Sequence, residues 1–157
     1  MAINQKSAFI IEILIVIAII FIALTSLLGV ATFSLRISTL MKETTKANLI
    51  TQEVMEAVRN IRDDNWAKIS TDIVMGQAYY PEIDTNFSPP KWKLTLGEKT
   101  ENGFTRKVIF SDVQRDTNDN IVEIGGTNDP NTKKATVTVS WRDKKVQIVT
   151  YLTNWKQ

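Results

Sequence analysis

Residues 13 to 35 contain no charged side chain. As a helix this run is about 35 Å long, enough to cross a bilayer core of ~30 Å. One acid, Glu12, stands at its edge and is the sole charge from Ala8 to Leu35. An acid at the centre of a membrane helix costs roughly 2.5–3.5 kcal/mol. A segment that served only as an anchor has no use for that acid. Glu12 is therefore read as functional, and in an apolar phase its function needs a positive partner.

A secretory signal peptide is a poor description of this terminus. Such a signal has an apolar core of ~7–15 residues followed by a small-residue cut. Here the apolar run is longer, Glu12 interrupts its start, and only residues 1–7 precede it. A plain signal anchor is the alternative on these residues.

The helical pattern continues past the apolar run. Leu40, Ala47, Val54 and Ile61 recur every seven residues, with Ile37, Ile50, Ala57 and Val58 close to the same stripe. Lys42, Glu43, Lys46, Glu53, Glu56, Arg59 and Arg62 take the other sides. That pattern predicts a helix half covered by a domain. A helix from Ala8 to about Asn65 is ~87 Å long. One small domain cannot bury that length, so its first half needs lipid or other copies of itself.

Beyond Trp66 the texture changes. Residues 66–90 mix apolar pairs with turn formers and read as an irregular connection containing at most one short strand. Strands are then expected at Lys91–Leu96, Phe104–Val113, Ile121–Ile124, Ala135–Trp141 and Val146–Trp155. Asn102-Gly103 is a strong hairpin signal. Asp116–Asn120 and Asn128–Lys133 read as loops, and Arg142–Lys145 as a turn. The fold class is α+β: one long N-terminal helix packed on an antiparallel sheet of about four strands. The segments are 1–7 (leader), 8–35 (membrane-spanning or fibre-core half), 36–65 (amphipathic half) and 66–157 (β domain).

Composition narrows the function. Cysteine and histidine are both absent. That removes thiol nucleophiles, thiolate metal sites, the commonest general base and the commonest transition-metal ligand. No enzyme and no cofactor is expected. A net charge of +2 gives no electrostatic case for nucleic acid. Lys133-Lys134 and Lys144-Lys145 read as solvated loop pairs. Trp66, Trp92, Trp141, Trp155, Tyr79 and Tyr80 read as core or half-buried residues rather than a stacking surface. Asp116, Asn118 and Asn120 open like a calcium loop, but Ile121 and Thr127 stand where that loop needs Gly and Glu. A solvated turn is the expectation there, with no metal.

Lys6-Ser7-Ala8-Phe9-Ile10-Ile11-Glu12 and the run after it resemble the prepilin signal of type IV pilins and pseudopilins. In that family a short basic leader is cut before an apolar helix whose fifth mature residue is Glu. The resemblance implies cleavage between Ser7 and Ala8, N-methylation of Ala8, and assembly through Phe9 and Glu12. Ser7 stands where Gly is usual, and Phe9 is second where Phe is usually first. A cut after Ala8 would put Phe9 first and Glu12 fourth. The resemblance covers roughly the first thirty residues. It implies a structural fibre subunit, a minor pilin, whose partners are other pilin subunits, prepilin peptidase, the assembly platform and the membrane. Its places are the inner (cytoplasmic) membrane, as a single-pass protein, and an extracellular pilus or pseudopilus. A pseudopilin of type II secretion or DNA uptake shares this N-terminus. A non-polymerising single-span binding domain is the reading from another class. Family helices often weaken near Thr25, Ser26 and Gly29, and both a continuous and a locally melted helix are open here.

Overall fold

The computed structural model describes residues 5–155 and the side chains of residues 8–155. Of the expected leader, residues 1–4 lie outside the described residues, as do the side chains of residues 5–7, including Ser7. The chain forms two compact units, Met1–Glu43 and Thr44–Gln157. Helix α1 (Gln5–Asp64) contributes its first part to one and its last part to the other. Burial of the apolar stripe begins at Ala47.

In the first unit α1 is uninterrupted through Thr25, Ser26 and Gly29. The hydroxyls there bond back along the helix. Thr25 Oγ1 donates to the Phe21 and Ile22 carbonyls at 3.0 Å, and Ser26 Oγ to the Ile22 carbonyl at 2.8 Å. Polar side chains are thereby satisfied without water, as an apolar surrounding requires. From Phe9 to Ile37 the large apolar side chains are all exposed.

The second unit buries its apolar side chains between α1 and a sheet. Ala47, Val54, Ala57, Val58 and Ile61 of the expected stripe are buried, together with Thr51 and Met55. Thr51 is tolerated because its hydroxyl donates to the Ala47 carbonyl at 2.7 Å. A short helix, α2 (Ala67–Ser70), follows and buries Ile69. The strands are β1 (Ala78–Asp84), β2 (Lys91–Leu96), β3 (Lys99–Glu101), β4 (Phe104–Arg115), β5 (Ile121–Val122), β6 (Thr127–Trp141) and β7 (Lys144–Thr153). They form a single seven-stranded antiparallel sheet in the order β2-β1-β4-β6-β7. Short β3 and β5 pair with β4 as well. Val108 and Phe110 of β4, Ala135 and Val137 of β6 and Leu152 of β7 meet Val54, Val58 and Ile61 in the core. Each fully buried aliphatic side chain contributes about 1.5–3 kcal/mol. Phe104, Trp141 and Val139 gather around Ala47 in a smaller cluster.

The sheet is larger than about four strands for identifiable reasons. Asn102 and Gly103 both have positive φ, 52° and 79°, the requirement of the tightest hairpin turn. That turn creates β3 as the partner of β4, with Glu101 opposite Phe104. Strand β1 lies within the stretch read as irregular. It pairs with β4 only at Ala78 and Tyr79, so Pro81, further along, removes no bond on that side. Residues 128–133, expected as a loop, belong to β6. Asp112 lies opposite Lys133 and Val113 opposite Asp129, so residues 130–132 bulge from the ladder. The bulge accommodates Pro130, which a regular central strand would exclude.

Candidate functional site

The residues singled out at the N-terminus lie on the first unit. Phe9, Glu12, Ile13, Val16 and Ile17 share one helix face and line a shallow groove along it. Their spacing of three and four residues produces that face. Ala8 and Phe9 are helical and exposed. The carboxylate of Glu12 is thus set among apolar side chains, and Ala8–Leu35 offers it no cationic side chain. Chemically the stripe can pack on another apolar surface and present one negative charge to a cation on it.

In the second unit, polar groups that looked capable of holding a ligand are committed to the fold. Asp116 Oδ1 accepts from the backbone N–H groups of Asn118 at 2.8 Å and Asn120 at 2.9 Å. Its Oδ2 accepts from Asn120 Nδ2 at 3.1 Å. The Asn120 backbone bond first, then its side-chain amide, hold the Asp116 carboxyl below the usual range. Both carboxylate oxygens face donors of their own loop, as in an Asx turn. Among the described residues no group of three or more acidic side chains is placed to hold a metal ion.

Next to that loop, Arg115 uses its whole fork. Its Nε donates to Asp129 Oδ2 at 2.7 Å, one terminal nitrogen to the Asp119 carbonyl at 2.8 Å, and the other to Thr132 Oγ1 at 3.3 Å. Asp129 raises the guanidinium pKa, and Arg115 in turn lowers that of Asp129. This fork fastens the 116–120 loop to the β6 bulge. Gly126 completes the corner, since a Cβ there would meet the Arg115 carbonyl at 2.6 Å.

The basic pairs are not loop residues. Lys133 and Lys134 are in β6, and Lys144 and Lys145 begin β7. Lys133 is buried and ion-paired with Asp112. Among the aromatics, Tyr79 and Trp141 are buried and Trp66, Trp92 and Tyr80 half-buried, as expected. Trp155 is the exception at 62% exposed, and its indole N–H donates to Asp63 Oδ1 at 3.1 Å. It closes one side of a cavity of about 290 Å³ whose other walls include Arg62, Asp64 and Trp66. Asp64 accepts from both Lys68 and Lys91, which lower its pKa to about 2. No sequence signal distinguished Trp155 from the other tryptophans, because exposure depends on where the last strand ends.

No protein-family profile, curated protein or solved structure matches this chain.

Proposed function

We propose that this chain is a structural subunit of a type IV pilus-like fibre, a minor pilin, without catalytic activity. In this reading prepilin peptidase cuts between Ser7 and Ala8. The first half of α1 then resides in the cytoplasmic membrane until an assembly platform moves it into the fibre. One observation carries the proposal: a single carboxylate, Glu12, on a helix face whose every other residue is apolar and exposed.

The physical reasoning is short. An apolar helix exposed on all sides is covered by lipid or by its own kind. An acid at its edge needs a cation there, and cleavage would free an amine at Ala8, which a neighbouring copy could present to it. Pairing the two sets the axial offset between copies. The second unit, with its own core, would stay in water and display the sheet.

The experiment is the intact mass of the protein after co-expression with a prepilin peptidase. Loss of Met1 to Ser7 with one added methyl group is expected. An uncut terminus would leave a simple anchor, and loss of residues beyond Ala18 would mean an ordinary signal peptide.

A further inference from the structure

The ends of α1 and β7 meet at one corner of the second unit, and a cleft of about 290 Å³ opens between them. Trp155 stands at its rim. The indole is 62% exposed, although burying a tryptophan removes about 150–250 Å² from water. It is nevertheless held in place. Its N–H donates to Asp63 Oδ1 at 3.1 Å, across 92 residues of sequence. That bond uses the only polar group of the ring, so what the side chain shows to solvent is apolar. Half-buried Trp66 lines the same cleft. A fixed ring of this kind offers a flat π face, negative enough to attract C–H groups and cations.

The charges around the ring are already matched. Asp63 Oδ1 also accepts from Arg62 Nε at 2.8 Å. Asp64 takes Lys91 on one oxygen at 2.5 Å and Lys68 on the other at 2.6 Å. A cationic ligand would compete with cations already in place, and an anionic one with carboxylates. The neutral polar groups are in the opposite condition. Asn65 spends its carbonyl oxygen on the Ala67 N–H at 2.9 Å. Among the described residues, the Asn65 amide nitrogen, the Asn154 side-chain amide and the Thr153 hydroxyl have no hydrogen-bond partner. All three residues line the cleft.

We propose that this cleft binds a neutral pyranose ring, one C–H face stacked on Trp155 and the hydroxyls bonded to Asn154, Asn65 and Thr153. A pyranose carries axial C–H groups on its faces and a belt of hydroxyls around its edge. Each hydroxyl donates and accepts, and a side-chain amide does both as well. An apolar wall with a few uncommitted polar groups is the usual make-up of a small-molecule site. The volume lies at the lower end of the ~300–1,000 Å³ such sites span, which suits one ring. Every residue of the cleft belongs to the second unit, so binding requires no assembly through the N-terminal helix.

The test uses the full chain in sugar-free detergent micelles, with saturation-transfer NMR as the readout. Methyl β-D-glucopyranoside and methyl β-D-galactopyranoside are the probes. At least one should bind with a Kd on the order of 1 mM, with transfer strongest to the C–H protons of one face. Trp155→Ala should weaken binding on the order of tenfold or more. Asn154→Ala removes an amide without a partner in the fold. It should leave thermal unfolding unchanged and weaken binding several-fold, which separates a lost contact from lost structure. Tetramethylammonium and inorganic phosphate, as charged probes, should not bind. No transfer to either glycoside, unchanged binding in either variant, or preference for a charged probe would each overturn the proposal.

Discussion

Residues 8–39 and 44–64 of α1 obey the same helical geometry and acquire opposite surfaces. In the first stretch apolar side chains surround the axis and are exposed, from Phe9 to Leu35. In the second all but Leu49 gather on one stripe, and that stripe is buried under β4, β6 and β7. The second stretch has its cover within its own unit. The first has none there. Amphipathicity, rather than hydrophobicity, distinguishes a helix that completes a domain from one that awaits a partner.

The largest expected effect tests the first stretch. Glu12→Gln keeps size and hydrogen bonding but removes the charge. On the proposed reading it leaves the Ala8 amine of a neighbour without its partner, and breaking such a buried pair costs about 3–5 kcal/mol. Processed mutant protein should remain in the membrane fraction and be nearly lost from sheared fibres. Incorporation equal to wild type would remove the pairing role.

A matched pair of truncations sharpens the contrast between the two stretches. Ile61→Ala empties a position that is 1% exposed and should lower unfolding stability of the second unit by about 2–5 kcal/mol. Ile17→Ala, at a position 44% exposed, should leave the same transition in place. Denaturant titration followed by tryptophan fluorescence reads both. Similar losses from the two would mean that the first stretch is also packed within the chain.

Acid should loosen the C-terminal end of the helix next. Asp64 is held near pH 2 by Lys68 and Lys91, below its ordinary value. A lowered folded-state pKa gives stability that is complete above about pH 4 and lost as pH falls towards 2. With partial solvent screening the contribution is about 1 kcal/mol. Asp64→Asn should flatten that part of the stability profile between pH 4 and 2. An unchanged profile would show that the two lysines add nothing.

The smallest effect concerns Gly29. A Cβ there meets nothing within 4 Å, so Gly29→Ala should be accepted and stiffen the helix by about 0.5–1 kcal/mol. Hydrogen exchange across Thr25–Gly29 should slow in micelles. If assembly requires the helix to open there, fibre yield should fall at the same time. Unchanged exchange would mean that glycine is not the weak point.

How much of this was legible depended on whether a pattern was local. The α1 stripe, the Asn102-Gly103 turn and the β6–β7 hairpin followed from periodicity and turn chemistry. The start of β6 did not, because Pro130 and Asn131 resemble a loop until the bulge opposite Asp112 and Val113 is seen. The one short strand allowed between residues 66 and 90 is β1, and its place was not legible because the acceptability of Pro81 depends on β4 pairing only at Ala78 and Tyr79. At the N-terminus, Glu12 stood out as the sole charge of an apolar run, while the face it shares with Phe9, Ile13, Val16 and Ile17 is a feature of the folded helix. The cleft at Trp155 was not legible, since the ends of α1 and β7 meet only in the fold. Likewise, Asp116 and Asn120 showed their oxygens in sequence, while the donors occupying them appeared only with the fold.

The order of the strands also has a kinetic meaning. Hairpins β1–β2, β3–β4 and β6–β7 close short loops, so much of the sheet can form from neighbours in sequence. The helix stripe is different. Ile61 shares its cluster with Leu152, about ninety residues later, and bringing them together closes one of the longest loops in the unit. Docking of the helix should therefore be the late event. Until then the chain carries two uncovered apolar surfaces, the stripe and the inner face of the sheet. A tether that keeps the first half of α1 apart from other chains during that interval would shorten their exposure and favour each sheet finding its own helix.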